Sequence, residues 1–179
     1  MCIRDRTGDD FKYPPYVFEA MGRARVEHGQ TLLESGQHER AIEEFERAKK
    51  LFEKAGNEKL LEEASRLVDA GYEAMAESHF AEGEMHLKSD EYEWAIVQFK
   101  KAREIYMFTT LSKMRAKCSD KIRKAYEEWG KHLEEEGDRL AKFGDSRRAL
   151  MMYQEAAEKY REANATKRLR GLEKKIRRV

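Results

Sequence analysis

Apolar residues recur along this chain with the period of an α-helix. In the stretch 41–52, AIEEFERAKKLF, small or apolar residues occupy positions 41, 42, 45, 48, 51 and 52, and charged residues fill most of the others. Apolar residues spaced three and four positions apart line one face of a helix, whereas a half-buried strand alternates every second residue. No segment shows the alternation of a strand, so the pattern predicts an all-α protein.

Interruptions of this pattern divide the chain into seven predicted helices. Their expected ranges are 14–35, a helix ending at 55, 58–88, a helix ending at 108, 111–143, a helix ending at 163, and a last helix running to the terminus. Gly36 and Gly144 can take the positive φ of a tight turn. Asp90 followed by Glu93 resembles a capping box that opens the fourth helix.

Polar residues at three further breaks predict helix starts. The expected N-caps are Asn57, Thr110 and Thr166, because short polar side chains can accept a hydrogen bond from the first free backbone N–H groups of a helix.

The opening stretch recurs twice at a constant spacing. AIVQFKKAREIY begins at Ala95 and ALMMYQEAAEKY at Ala149, so that the period from Ala41 is 54 residues. This period predicts three units over about 22–75, 76–129 and 130–179, called repeats 1, 2 and 3 below, within a helical repeat domain at 14–179.

Small residues hold fixed places in the three repeats. Glycines precede the three alanines by twelve positions, at Gly29, Gly83 and Gly137. A glycine inside a helix costs about 1 kcal/mol relative to alanine, so a recurring one indicates that a backbone or a large side chain comes close. One face of the second helix in each repeat also carries an aromatic residue between two alanines. These sets are Ala41-Phe45-Ala48, Ala95-Phe99-Ala102 and Ala149-Tyr153-Ala156. We therefore predict a packing face in each repeat.

These residues resemble the tetratricopeptide repeat family. That family has a glycine in its first helix and A-x3-F in its second, and the three glycines and the pairs Ala41/Phe45, Ala95/Phe99 and Ala149/Tyr153 match this pattern. The family's period is 34 residues, so this chain departs from it by longer first helices. The resemblance implies an α-solenoid of antiparallel helical hairpins.

The resemblance also implies a function. Such arrays are non-catalytic scaffolds that bind a protein or peptide partner with the first helices lining a groove. Residue by residue, the partner-binding places would be Arg23, Val26, Gln30 and Leu33 in repeat 1, Glu77, Phe80, Glu84 and Leu87 in repeat 2, and Lys131, Glu134, Asp138 and Ala141 in repeat 3. The lysine and asparagine set with which some members clamp a C-terminal carboxylate is not present, so that ligand is not expected.

The first six residues, MCIRDR, have a different origin in our interpretation. They resemble the translation of a transposon-end sequencing adapter, which would make them and Cys2 non-native. Residues 1–13 are then an adapter-like start plus loop. The chain would be a metagenomic fragment, the C-terminal part of a longer polypeptide.

Bulk composition narrows the classes of function. Apolar and charged residues each make up 40% of the chain, the net charge is +1, and no apolar stretch approaches the roughly 20 residues that span a bilayer. Only two cysteines are present, which excludes a disulfide framework. We expect a cytoplasmic protein.

Few residues suggest chemistry. His79, Glu82 and His86 share one helical face, but three ligands on a single helix form a poor metal cage, and partly buried histidines in a packing stripe are the favoured interpretation. Cys118 is expected to be a small core residue. Phosphate loops, nucleophile elbows and paired catalytic carboxylates are absent from the sequence, so we expect neither an enzyme nor a cofactor.

Two basic segments, 112–124 and 166–179, leave an alternative open. If the repeats stack in order, the segments would become neighbours and form one positive surface for nucleic acid or an acidic partner. Its residues would be Lys113, Arg115, Lys117, Lys121, Arg123, Lys124, Lys167, Arg168, Arg170, Lys174, Lys175, Arg177 and Arg178. The opposing interpretation is that an apolar stripe, Leu169, Leu172, Ile176 and Val179, docks a terminal helix whose charges are merely solvated. A further alternative is a self-associating, coiled-coil-like structural protein.

Overall fold

The computed structural model describes residues 13–178, and over these residues the protein is all-α. Its helices are α1 (Pro15–Glu34), α2 (His38–Ala55), α3 (Glu58–Lys88), α4 (Tyr92–Ile105), α5 (Ser112–Lys142), α6 (Ser146–Glu162) and α7 (Thr166–Ile176). A single 3-10 turn, Tyr106–Phe108, follows α4, and no strand occurs in the described range. The predicted class and helix order are confirmed, while the fourth helix ends three residues earlier as an α-helix. The adapter-like start, including Cys2, lies outside the described residues.

The chain divides into two compact units, Met1–Met75 and Ala76–Val179, called the N-terminal and C-terminal units below. In the N-terminal unit, α1, α2 and the first part of α3 enclose a core around Phe45 and Phe52. In the C-terminal unit, one cluster around Phe99 lies between α3, α4 and α5, and a second around Tyr160 lies between α5, α6 and α7.

The three recurring glycines lie against the aromatic residues of the packing face. A Cβ atom added at Gly29 would lie 2.6 Å from Phe45 Cε1, and one added at Gly83 would lie 2.7 Å from Phe99 Cε1. At Gly137 the distance to Tyr153 Cε1 would be 2.6 Å. Carbon atoms in contact are normally about 3.5–4.0 Å apart, so the predicted close approach is confirmed. The six alanines that flank these rings are all fully buried.

A second set of close approaches was not predicted. Gly22 lies against the Phe52 ring and Gly130 against the Tyr160 ring, where an added Cβ would be 2.8 Å from Cδ1. The corresponding place in repeat 2 is the buried Ala76. Since only two of three copies carry glycine, the sequence period did not reveal this contact.

The turn between α3 and α4 corrects one prediction. Gly36 and Gly144 have φ values of 75° and 82°, as expected, and Asp90 has the same left-handed conformation, with φ of 59°. Asp90 therefore ends the turn after α3 and does not cap α4, whose N-cap is Glu91 without a side-chain bond. Aspartate tolerates this conformation better than most residues, and its carboxylate accepts a hydrogen bond from the Tyr92 hydroxyl at 2.8 Å.

Of the three predicted N-caps, one is confirmed. Asn57 Oδ1 accepts a hydrogen bond from the Leu60 N–H at 3.2 Å. Thr110 and Thr166 are not caps, because α5 and α7 begin at Ser112 and Thr166 and place Leu111 and Ala165 at the capping positions. None of the described helices is both long and apolar enough to cross a membrane.

Candidate partner-binding surface

A shallow depression of about 280 Å³ lies between α1 and α3 in the N-terminal unit. Its lining residues are Arg23, Val26, Glu27, Gln30, Phe52, Leu60, Glu63 and Ala64. The last turns of α2 supply Phe52, which is buried together with Leu60 and Ala64. The depression thus has an apolar floor and a polar rim, and three of the groove residues expected from the resemblance lie in it together.

The rim of the depression carries unbalanced charge. Glu27, Glu63 and Arg23 are exposed. Within the described part of the chain none of them forms an ion pair, whereas their neighbour Arg25 pairs with Glu44 at 2.9 Å. Two carboxylates and one guanidinium are therefore available to a ligand.

Glu44 shows how the same unit satisfies a carboxylate that it buries. Burial opposes ionisation of this group, but hydrogen bonds and charges from Arg25 and then Arg47 outweigh it and hold the pKa of Glu44 below its usual value. His28 Nδ1 lies 3.7 Å from the same carboxylate. Glu44 is thus internally paired, unlike the two rim carboxylates.

The corresponding place in repeat 2 is filled. Phe80 stands where repeat 1 has Val26, and only 7% of it is exposed. Lys117, which stands where repeat 1 has Glu63, places its Nζ 4.7 Å from the Phe80 ring centroid, and Lys121 Nζ lies at 5.8 Å. A cation over an aromatic face is attracted by the ring quadrupole. Repeat 2 therefore supplies both the ring and the cation that repeat 1 lacks.

Repeat 3 fills the same place with polar groups. Glu134, which corresponds to Val26 and Phe80, accepts a hydrogen bond from the Tyr160 hydroxyl at 2.7 Å. Lys175 of α7 lies 2.7 Å from the other oxygen of Glu134. At the equivalent place in repeat 1, Val26 packs against the core around Phe52, and no lysine is among the residues that line the depression beside it.

Asp138 belongs to the same network. It accepts hydrogen bonds from the Tyr153 hydroxyl at 2.8 Å and from Lys175 Nζ at 2.7 Å. Burial opposes ionisation of Asp138, but these two donors outweigh it and lower its pKa. Burial, followed by the bond to Asp138, raises the pKa of Tyr153 to about 12. The network attaches α7 to α5 and α6.

Seven of the twelve predicted partner-binding residues show how different their environments are. Arg23 and Gln30 line the depression of the N-terminal unit, Glu77 and Lys131 are exposed, Phe80 is buried, and Glu84 and Asp138 form ion pairs with Lys121 and Lys175. The hydrogen bond from Lys121, against the effect of burial, lowers the pKa of Glu84. Arg23 and Gln30 share the depression of the N-terminal unit, whereas Glu84 lines a separate depression of about 280 Å³ in the C-terminal unit, where it pairs with Lys121.

The two basic segments belong to α5 and to α7, which forms ion pairs with α5. Segment 112–124 forms the first part of α5, where Lys121 pairs with Glu84 of α3. The ion pairs of α7 reach α5 further on, with Arg168 3.5 Å from Glu127 and Lys175 next to Glu134 and Asp138. Basic residues of each segment thus form ion pairs with carboxylates of the preceding long helix.

Some of the thirteen basic residues keep their charge unpaired. Within residues 13–178, those without an ion pair are Lys113, Arg115, Lys117, Lys124, Lys167, Arg170, Lys174, Arg177 and Arg178, and Arg123 pairs with its own helix at Asp120. They lie in the two successive segments and in the residues after α7. The merged positive surface stays a prediction.

The histidines and the cysteine have structural environments. His79 and His86 are half-buried, as expected, with Nδ1 atoms 2.8 Å from Gln98 Oε1 and 2.6 Å from Glu91 Oε2. Among the described residues no cluster of histidine, cysteine and carboxylate side chains could hold a metal ion. Cys118 is fully buried, as predicted, and burial raises the pKa of its thiol.

The sequence-based prediction missed the α3 side of the depression. Leu60, Glu63 and Ala64 were not singled out, although the change from Glu63 to Lys117 at equivalent places is visible in the sequence. A comparison of this sequence with protein-family models finds no match, and a comparison with curated proteins finds none either. The resemblance to tetratricopeptide repeats stays a prediction.

Proposed function

We propose that this protein is a non-catalytic interaction module that holds a segment of a partner protein in the depression between α1 and α3. The observation that carries the proposal is the joint presence of Arg23, Val26 and Gln30 in one open depression. The resemblance to tetratricopeptide repeats predicts the same three places as partner-binding. No observation favours a nucleic-acid function to the same degree.

The size of the depression favours a peptide over a small-molecule cofactor. Pockets that enclose a ligand usually measure about 300–1,000 Å³, and this depression, at about 280 Å³, is smaller and open to solvent. Such a space suits one or two side chains of a bound segment. The rest of that segment would lie along the exposed surfaces of the two helices.

The chemistry of the lining also suits a protein partner. Binding energy at protein interfaces is concentrated in a few apolar anchors that enter desolvated pockets, surrounded by polar contacts that exclude water. Phe52, Leu60 and Ala64 offer such a floor, and Arg23, Glu27 and Gln30 offer such a rim.

The proposal includes the arrangement of the helices. We propose antiparallel hairpins α1–α2, α3–α4 and α5–α6 in a tetratricopeptide-like array, closed by α7. The equivalent glycine-to-ring contacts at Gly29, Gly83 and Gly137 support this arrangement, because the same packing unit is then used three times.

A peptide selection tests the proposal. A phage-displayed library of random peptides is selected against the folded chain, and the affinity of enriched peptides is measured by fluorescence anisotropy for the wild type and for Val26→Phe. The substitution copies Phe80 and should fill the depression without unfolding the unit. Excluding one apolar anchor, which contributes about 1.5–3 kcal/mol, should weaken binding about ten- to a hundredfold.

Val97→Phe is the matched control. Val97 is half-buried in α4 and does not line the depression, and repeat 3 has the larger Met151 at its place. We expect this variant to bind the selected peptides like the wild type. Failure to enrich any peptide whose binding depends on Val26 would refute the proposed function.

A further inference from the structure

The three equivalent places differ in a way that identifies what repeat 1 lacks. Phe80 fills the place in repeat 2 with a ring, while Val26 leaves that space open in repeat 1. Lys117 holds a cation 4.7 Å from the Phe80 ring centroid, while repeat 1 has the carboxylate of Glu63 at the corresponding position. At these two positions repeat 1 therefore has a smaller apolar side chain and a negative charge, where repeat 2 has an aromatic ring and a positive charge.

We infer that the occupant of the depression is a basic amphipathic peptide segment, which supplies both missing groups. An aromatic or long aliphatic side chain enters above Val26, and a lysine or arginine of the same segment pairs with Glu27 and Glu63. This inference rests on the proposed function and specifies the chemistry of the partner.

Charge complementarity supports a basic occupant. The rim carries two carboxylates against one guanidinium, and neither Glu27 nor Glu63 has an ion-pair partner within the described residues. In the C-terminal unit, carboxylates of α3 and α5 are paired with lysines of the next long or terminal helix: Glu84 with Lys121 of α5, and Glu134 with Lys175 of α7. A cation from a partner would complete the same kind of pair at the depression.

The partner's residues must reach the depression together. Residues three or four positions apart are neighbours on a helix surface, as Lys117 and Lys121 of α5 are beside the Phe80 ring. A helical partner segment that carries its apolar anchor and its cation three or four positions apart would present both groups on one face.

The test is a pair of parallel selections from the same random-peptide library. One uses the wild type and the other the double variant Glu27→Lys/Glu63→Lys. Peptides enriched on the wild type and sensitive to Val26→Phe should combine an apolar anchor with lysine or arginine. Peptides enriched on the double variant should carry aspartate or glutamate there. Glu39→Lys, an exposed charge reversal at the start of α2 that does not line the depression, serves as the control for a charge reversal elsewhere on the same unit.

Affinities of the wild-type peptides give the quantitative readout. We expect about tenfold weaker binding to the double variant, because two exposed ion pairs are lost and the reversed charges repel the peptide. Replacing the peptide's lysine by glutamine should abolish most of this difference, and Glu39→Lys should bind like the wild type.

The possible outcomes separate the inference from the proposed function. Peptides that depend on Val26 but show no excess of basic residues and bind the double variant equally would overturn the inference and leave the proposed function standing. A selection without any Val26-dependent peptide would overturn both. A dimer of the wild-type chain in light scattering that is lost in Val26→Phe would assign the depression to a second copy, which also overturns the inference.

Discussion

Replacing Gly83 by alanine tests whether the recurring glycines exist for close packing. The added Cβ would lie 2.7 Å from Phe99 Cε1 and 2.8 Å from Cδ1, which is about 1 Å shorter than a normal carbon–carbon contact. The Phe99 ring is fully buried and lies against Phe80, with ring centroids 5.4 Å apart. Because the ring has no free space behind it, α3 and α4 would have to separate.

The expected effect is a net loss of stability. Overpacking a core typically costs about 1–3 kcal/mol, while alanine gains about 1 kcal/mol over glycine in helix propensity. The difference is about 0–2 kcal/mol, and its centre predicts a destabilisation of about 1 kcal/mol. For a chain of this size, each kcal/mol lowers Tm by about 2–4 °C.

Gly171→Ala provides the matched control. A Cβ at Gly171, in α7, would meet no atom within 4 Å, so this substitution should stabilise the chain by up to about 1 kcal/mol through helix propensity alone. Both variants are measured by thermal and urea denaturation followed by circular dichroism. If Gly83→Ala raised Tm as much as Gly171→Ala, the packing explanation would be refuted. In a Phe99→Leu background, Gly83→Ala should lose most of its penalty.

Three other predictions concern stability and reactivity. Asp138 has a lowered pKa in the folded state, so its contribution to stability is present above the unfolded pKa of about 3.9 and is lost as pH falls through the folded pKa. Asp138→Asn should therefore reduce the fall in unfolding free energy, measured by urea denaturation, on the acid side of the pH range. An unchanged slope would contradict this. The buried Cys118 thiol should resist alkylation in the folded chain and react in denaturant, as mapped by mass spectrometry; rapid labelling without denaturant would show that it is accessible. Asp90, with φ of 59°, should tolerate glycine nearly neutrally but lose about 1–2 kcal/mol on replacement by alanine, and equal Tm values for the two variants would argue against backbone strain at this turn.

The packing of each repeat could be predicted from the sequence because its residues have little freedom. Gly29, Gly83 and Gly137 occupy sites where any side chain would meet a ring, so the same residue appears at a constant period. The contact of Gly22 with Phe52 escaped prediction, since Ala76 interrupts that second period. When one of the three repeats tolerates another residue at such a position, the glycine no longer recurs at a constant period in the sequence.

Turn chemistry was harder to predict because one local pattern is compatible with two conformations. Asp90 and Glu93 have the spacing of a capping box, yet Asp90 is left-handed and Glu91 precedes the helix. Alignment of the three repeats predicts the positive φ of Asp90, since Gly36 and Gly144 occupy the equivalent places and also have positive φ. Position in the period was therefore a better guide than the local motif.

Only the α1 side of the depression could be predicted from the sequence, because the depression depends on residues from both α1 and α3. The resemblance singled out Arg23, Val26 and Gln30 on α1, but the open space results from Val26 together with Glu63 on α3. Neither residue is unusual by itself. Val26 becomes informative only by comparison with Phe80, and Glu63 only by comparison with Lys117, because that ring and that cation fill the equivalent space in repeat 2.

The contrast between fixed and variable places leads to a physical argument about specificity. A residue such as Phe45, which is fully buried and in contact with a glycine, cannot change without a loss of packing energy comparable to a large part of the stability of a domain. The place occupied by Val26, Phe80 and Glu134 accepts three different chemistries because it lies at the edge of the core. Two of these are satisfied by lysines of the same chain and one is not. Differences between equivalent sites, more than their shared residues, therefore identify the surface that a partner would recognise.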